Sequence, residues 1–221
     1  MIGSVNVIGS GRVGSAVSAR LAERRIPLDR HDAELVLLCV PDRVIGEVAA
    51  TIVPGPWIAH VSGATPLAVL ATHVRRFSVH PLQTFTLRRG PEQLDGAWAA
   101  TTAESPDAHA VATWLAETLG LRPFRLLDEH RAAYHAGAAI ASNYLVTLRR
   151  AAGALLEAAG APPEALDPLM TRTIENGFEL TGPIQRGDWE TVERHLEAIQ
   201  ALRPELEPMY RVLADATAAV A

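Results

Sequence analysis

The sequence predicts an α/β protein, with a mainly parallel sheet followed by an all-α C-terminal part. Three observations carry that expectation. An apolar run, Val5-Asn6-Val7-Ile8, leads into a glycine-rich turn and then a helical apolar pattern at Ala16, Val17, Ala19, Leu21 and Ala22. Short apolar runs alternate with helical patterns as far as Leu127. From about Glu129 the texture becomes alanine-rich helix without strands. Strands separated by helical patterns imply parallel pairing. The composition shift divides the chain into 1–127 and 128–221.

The first turn reads Gly9-Ser10-Gly11-Arg12-Val13-Gly14. In a strand–turn–helix context Gly9 makes the tight turn and Gly11 lets the backbone approach a pyrophosphate. Gly14 lets the helix pack closely on the strand, and the helix N-terminus offers N–H groups and positive dipole. This is a Rossmann-like beginning, but its first mononucleotide half is shortened. The next apolar strand is 35–40, ended by Pro41-Asp42. If the first helix runs to about Arg25, only 26–34 remain. Parallel strands need a crossover of roughly a dozen residues, so a second strand plus a helix cannot fit. A strand stub could survive in 26–32, but loss of both strand and helix is the expectation, leaving the adenosine half open. Asp29 as a ribose acid with Arg30 as a 2′-phosphate partner competes with a solvated turn. The turn is favoured, because the usual acid lies roughly 20 residues on, at the end of a real strand.

The remaining elements follow in order. Val44, Ile45, Val48, Ala49 and Ile52 mark a helix, 57–61 a strand and 66–71 a short helix. A strand at 77–79 ends in His80-Pro81, and Arg88-Arg89-Gly90-Pro91 reads as a turn. Then come a strand at 97–102, a helix at 108–119 closed by Gly120, and a last strand at 123–127. One long helix is expected over 130–159, capped by Gly160 and stopped by Pro162-Pro163. Three more follow at 163–179, 188–202 and 204–220, with Asp188 as N-cap and acidic Glu190 in the first turn.

Composition excludes several functions. At 221 residues with 48% hydrophobic residues the chain has ample material for a core, and its formal charge of −5 argues against a nucleic-acid footprint. All 20 basic residues are arginine, which removes any lysine base, Schiff base or P-loop lysine. The one cysteine, Cys39, lies in an apolar strand and reads as packing; no disulfide can form within one chain. No apolar stretch approaches membrane-spanning length, and the first residues read as a strand and not as a leader. A cytoplasmic protein without nucleic-acid or membrane partners is expected.

In open parallel sheets ligands sit beyond the carboxyl ends of the strands, where this sequence places Asp42, Ser62, His80 and Gln83. His80 is the acid/base candidate, since its ordinary pKa lies near neutrality; the competing role is a strand-end cap bonded to backbone. Ser62 lacks a nucleophile-elbow context, so a hydrogen bond to substrate or nicotinamide amide suits it better. Asp42 reads as the N-cap of the next helix. On the long helix His135 and Ser142 are seven apart, near one face, with Asn143 beside them. Substrate contact and interhelical hydrogen bonding both fit such a face. Arg186, in the turn-rich 181–188, could clamp a substrate carboxylate, or Gly182 and Gly187 could simply turn the chain before the Asp188 cap. The eight histidines show no metal-site spacing, and no metal is expected.

These pieces together, namely the Gly9 turn, Val40-Pro41-Asp42, Ser62-Gly63-Ala64, His80-Pro81-Leu82-Gln83-Thr84-Phe85, Tyr134-His135, Ala141-Ser142-Asn143-Tyr144-Leu145, Leu180-Thr181-Gly182-Pro183-Ile184 and Arg186-Gly187-Asp188, resemble one group over nearly the whole chain. It is a bacterial group of Rossmann-like proteins with a helical C-terminal domain of unknown function. That group is similar to pyrroline-5-carboxylate reductase, ketopantoate reductase and the 6-phosphogluconate dehydrogenase-like superfamily. The resemblance implies an NAD(P)-binding domain at 1–127 and a helical substrate and dimerisation domain at 128–221, hence a homodimer through the helical part. Cofactor residues are then expected at Gly9, Ser10, Gly11, Arg12, Val13, Gly14, Val40 and Pro41. Two departures stand out: the shortened second strand and helix, and the absence of the helix lysine used by the superfamily's hydroxyacid dehydrogenases.

Two functions follow as expectations. One is an NADP- or NAD-dependent reductase of a small carboxylated carbonyl or imine. In it His80 or His135 handles the proton, Asn143 belongs to the catalytic set, and Ser62, Gln83, Ser142 and Arg186 orient substrate. The other is a non-catalytic dimeric sensor or scaffold that binds a smaller phosphorylated ligand, with weak or no dinucleotide binding.

Overall fold

The computed structural model describes residues 2–29 and 31–221. Six strands form one sheet in sequence order: β1 (Val5–Ile8), β2 (Leu35–Leu38), β3 (Trp57–His60), β4 (Arg76–Pro81), β5 (Trp98–Ala103) and β6 (Arg122–Arg125). Strands β1 to β4 are parallel, β5 runs antiparallel to β4, and β6 is parallel to β5. The sheet is thus mainly parallel, as the alternation of patterns predicts.

Both faces of the sheet are covered, which is why β2 reads as the uninterrupted run Leu35-Val36-Leu37-Leu38. Leu35 and Leu37 pack with Val5, Phe77, Val17 of α1 (Arg12–Glu23) and Leu115 of α3 (Pro106–Thr118). Val36 and Leu38 pack on the other face with Ile58, Ile45 of α2 (Ile45–Ala50), and Leu67 and Leu70 of a 3-10 turn. Each such fully buried side chain contributes roughly 1.5–3 kcal/mol of hydrophobic stabilisation. Helix α3 starts where chemistry favours it: the Ser105 hydroxyl accepts from the Ala108 N–H at 3.2 Å, with Pro106 and Asp107 in the first turn.

The shortened half takes a form different from the one expected. A strand stub survives: Leu28 bridges Val5 in parallel, with the Val5 N–H donating to the Pro27 carbonyl (2.9 Å) and the Asp29 N–H to the Val5 carbonyl (3.1 Å). No helix follows it before β2. Nine residues hold a single bridge but not a helical crossover, so the strand is truncated and not lost. The stub pairs with one side of β1 and β2 with the other, which makes the carboxyl end of β1 a topological switch point.

The expected single helix over 130–159 is broken. Helix α4 (Arg131–Ala139) passes into a π-helical turn at Ile140–Tyr144 and then α5 (Leu145–Ala158). Helices α6 (Leu166–Glu175), α7 (Trp189–Leu202, N-capped by Asp188) and α8 (Glu207–Ala218) complete the chain. Two compact units result, 1–139 and 140–221. Their boundary differs from the 127/128 composition boundary because α4 goes with the sheet, to which its side chains are bonded. No described helix is long and apolar enough to cross a membrane.

Candidate functional site

The glycine turn at the end of β1 is shaped by three different constraints. Gly9 has φ +114°, and a side chain there would begin 2.4 Å from the Cys39 carbonyl oxygen. A Gly14 side chain would begin 2.0 Å from the Gly9 carbonyl oxygen and 3.1 Å from Cys39 Cβ. Both are glycine because strand and helix touch. Gly11 differs: it has φ −71°, which any residue adopts, and a side chain there would meet nothing within 4 Å. It stands at the N-cap of α1, where no side chain caps the helix, so the first-turn N–H groups can serve an anion. A cavity of about 530 Å³ opens here, lined by Asn6, Gly9, Ser10, Gly14, Ser15 and Ser18. Its size is that of a ligand pocket, and no charged side chain among the described residues lines it. The Val40 N–H closes the corner from β2, 3.2 Å from where a Gly9 side chain would begin, and Pro41 stands exposed beside it. Burial pushes the Cys39 thiol up to about 12, so it is an inert packing group.

The adenosine side lacks a reader among the described residues. Asp29 ends the stub beside Val5, about three residues or roughly 10 Å short of the glycine turn. Its carboxylate accepts from the His31 (2.8 Å) and Asp32 (3.2 Å) N–H groups, and the first of these bonds leads in holding its pKa below the usual range. That is the solvated turn. Arg30 lies outside the described residues.

A second polar group gathers at the carboxyl ends of β3 and β4. His60 ends β3, is fully buried, and accepts from the Ser62 N–H through Nδ1 at 3.2 Å. Its proton therefore sits on Nε2, which has no partner among the described residues. Burial first, then the nearby Arg131 cation, push its pKa down to about 4. The buried Arg131 guanidinium ties the region together. It donates to Asp128 (2.6 Å), to the Ser62 carbonyl (3.0 Å) and to the Ser78 hydroxyl. Asp128 in turn accepts the Leu67 N–H through both oxygens, at 2.9 and 3.0 Å. Each of the three guanidinium nitrogens has a partner inside the fold, which is how a buried charge is tolerated.

Above this base stands His80, whose Nδ1 lies 2.7 Å from the Tyr134 hydroxyl. His135 faces it with ring centroids 6.2 Å apart. Both histidines crowd Gly63: a side chain there would begin 2.8 Å from His80 Cε1 and Nε2, and 2.9 Å from His135 Cδ2. Burial, then His135 and Arg131, push His80 down to about 4, with Asp42 opposing. At neutral pH His80 is uncharged. It can donate one hydrogen bond, but the imidazolium acid expected from its ordinary pKa is absent near pH 7.

The other expected residues fall as follows. The Ser62 hydroxyl donates to Asp42 (2.7 Å) and accepts from the Thr65 N–H (3.0 Å), so it holds its own turn. Gln83 is exposed and accepts from the Thr84 N–H at 2.8 Å. The buried glutamine is Gln93, whose amide bonds the backbone of Thr86, Arg89 and Gly90. Ser142 and Asn143 lie in the π turn, so the seven-residue spacing from His135 no longer reports a common α-helical face. Arg186 donates to the Thr181 carbonyl at 2.7 Å within its own turn. Tyr134 and Gly63 entered the sequence reading only as members of motifs and without a role, and Arg131 and His60 were not singled out. Only the Asp128-x-x-Arg131 spacing at a helix start could have pointed to one of them. No described cluster of three or more His, Cys, Asp or Glu side chains is placed to hold a metal ion.

A larger cavity, about 920 Å³, opens at the opposite, amino-terminal edge of the sheet, lined in part by Trp57, Trp114 and Arg75. None of the expected site residues lies in it.

Comparison with known proteins bears on the family and the fold. The family model "Domain of unknown function (DUF2520)" matches residues 97–217. No curated protein matches the chain. Among solved structures, BF3122 of Bacteroides fragilis, provisionally named an NADP oxidoreductase, aligns with TM-score 0.82 at 21% identity over 98% of each chain. A semialdehyde dehydrogenase NAD-binding protein from Cupriavidus necator, in complex with calcium and NAD, aligns with TM-score 0.64 at 18% identity, covering 96% of this chain and 98% of that one. The reductive aminase of Aspergillus terreus, in complex with NADPH and ethyl levulinate, aligns with TM-score 0.65 at 17% identity, covering 97% and 93%. At these identities the likeness is one of fold.

Proposed function

This chain belongs to the DUF2520 family, and from that premise we propose that it is an oxidoreductase using NADP or NAD to reduce a small carboxylated carbonyl or imine. The observation that carries the reading is Gly11. Nothing in the protein requires a glycine there, since its φ is ordinary and its side-chain space is open. Its smallness matters only toward something that lies against the backbone, and the uncapped α1 N-terminus suits a pyrophosphate. The N–H groups of the Gly9–Gly14 turn would hold the cofactor, which when bound supplies the hydride. His80, at the same carboxyl edge of the sheet, donates a hydrogen bond to the substrate oxygen or nitrogen. Gly63 keeps the space between His80 and His135 free, and Arg131 with Asp128 holds the base of the site rigid. The named neighbours that bind NAD or NADPH support this reading through their shared fold.

The helical unit supports a homodimer. Ile140, Leu169, Phe178 and Val212 are 60–70% exposed, and Val192 and Ile199 are its only buried hydrophobic residues among those described. A unit this poor in core needs a second surface to cover its apolar faces.

Titration with NADPH and NADH, followed by fluorescence, tests the reading: binding below millimolar concentration is expected, and none at millimolar cofactor overturns it. The truncated stub favours one second reading, a non-catalytic dimeric relative that binds a smaller phosphorylated ligand. A mononucleotide retained in native mass spectrometry would support that alternative.

A further inference from the structure

We propose that Tyr134 and His80 form a neutral proton relay, in which Tyr134 fixes the His80 proton on Nε2 and replaces it once it has passed to a carbonyl oxygen. The substrate half of this proposal rests on the reductase reading above; the relay half rests on geometry alone. The Tyr134 hydroxyl is 2.7 Å from His80 Nδ1, and the two rings stand at 87°, which lets the O–H point at the in-plane lone pair. Phe124 braces Tyr134 edge-on, with centroids 5.9 Å apart. With glycine at position 63 no side chain stands in the place 2.8 Å from Cε1 and Nε2 of the imidazole, and no described residue is hydrogen-bonded to Nε2.

One proton must lie between the two groups. A tyrosine hydroxyl has a single hydrogen, and among the described residues His80 Nδ1 is the acceptor placed to take it. With Nδ1 occupied as acceptor, a neutral His80 carries its own proton on Nε2. The groups facing His80 are Tyr134, His135 and Arg131 from α4, Asp42 from the turn after β2, and His60 from β3. Burial holds the Tyr134 hydroxyl protonated, pushed up to about 12, so it is a donor throughout the neutral range.

The step balances. A bound nicotinamide cofactor would supply the hydride to the substrate carbon, with the π pair of the double bond moving to oxygen. The His80 Nε2–H bond breaks as that oxygen takes the proton, and Nδ1 takes the Tyr134 O–H proton. His80 ends neutral with its proton on Nδ1, and Tyr134 ends as phenolate, which water reprotonates. An alkoxide is a stronger base than a phenolate, so the transfer runs downhill. The relay needs an acceptor lone pair on the substrate. A neutral carbonyl or a neutral imine provides one; an iminium has none and already carries its proton. The site's substrate class is therefore a neutral C=O or C=N group, not a preformed iminium.

The test is ¹⁵N NMR of the His80 ring in the ligand-free protein, assigned by loss of its signals in His80→Gln. The expected result between pH 6 and 8 is the Nε2–H tautomer, favoured by about fivefold or more, the ratio one net hydrogen bond supports. Tyr134→Phe, which conserves packing volume, should leave a mixture and raise the His80 titration midpoint. A wild-type Nδ1–H tautomer, or an unchanged tautomer in Tyr134→Phe, overturns the relay. With cofactor, Tyr134→Phe should lower kcat on a carbonyl at least about tenfold with KM little changed, while reduction of a preformed iminium is spared. Equal loss on both substrates overturns the substrate assignment. Failure to bind any nicotinamide nucleotide removes the reductase reading but leaves the tautomer result standing by itself.

Discussion

Burial decides which single side chains of the sheet unit carry charge near pH 7. His60 and His80 both titrate near 4 in the folded chain, against about 6.5 when unfolded. The unfolded chain therefore binds more protons between those values, and stability falls as pH drops through that window. The contribution is complete above about pH 6.5 and is lost on approaching pH 4. Thermal unfolding should show a lower midpoint at pH 4.5 than at pH 7, with a smaller difference in His60→Asn. Asparagine keeps the acceptor for the Ser62 N–H without titrating. An equal pH difference in the variant would place the acid sensitivity elsewhere. Gly63 gives a second forecast at this level. A methyl group there would begin 2.8 Å from the His80 ring and 2.9 Å from His135, so Gly63→Ala should cost about 1–3 kcal/mol and wedge the two rings apart. A denaturation midpoint unchanged from wild type would show that the rings move aside freely.

The β1–turn–α1 element carries the contrast that separates folding from binding. Gly14→Ala sets a methyl group 2.0 Å from a backbone oxygen, and a cost at or above about 3 kcal/mol, the upper end of overpacking, is expected in urea unfolding. The truncated stub next to it makes a different forecast. Among the described residues no charged side chain lines the cavity at the turn, and the Asp29 carboxylate is committed to the His31 and Asp32 N–H groups. NADPH and NADH affinities should therefore lie within about tenfold, or 1.4 kcal/mol, of each other; a ratio of hundreds would require a phosphate or ribose reader. The glycine turn and the succession of strands in a mainly parallel sheet were legible in the sequence because each rests on local signals: the spacing of Gly9, Gly11 and Gly14, and apolar runs punctuated by turns. His80 was legible as a polar residue at a strand end. Its chemistry was not, because the pKa depends on burial and then on His135 and Arg131, which lie more than 50 positions away. The π turn at Ile140–Tyr144 escaped because an inserted residue changes the hydrogen-bond register without changing the alanine-rich pattern. The strand stub at Leu28 was weighed but not preferred, because no periodicity can be read from one paired residue.

Taken as a molecule, the chain distributes its apolar surface unevenly. The sheet unit holds two well-packed clusters, while the helical unit exposes large side chains on several helices. Light scattering during size exclusion should give twice the chain mass, and paired charges at exposed apolar positions, such as Leu169→Glu with Val212→Asp, should shift the protein toward monomer or lower its solubility. A wild-type monomer at high micromolar concentration would contradict the dimer. The central claim is that the corner at Gly9, Gly11 and Gly14 holds the pyrophosphate of a nicotinamide dinucleotide. Calorimetric titration of NADPH into wild type and Gly11→Ala tests it most directly, since the new methyl group meets no protein atom within 4 Å. Unfolding stability within about 0.5 kcal/mol of wild type, together with at least about tenfold weaker NADPH binding, is the expected result; equal affinity in the two proteins would contradict the account.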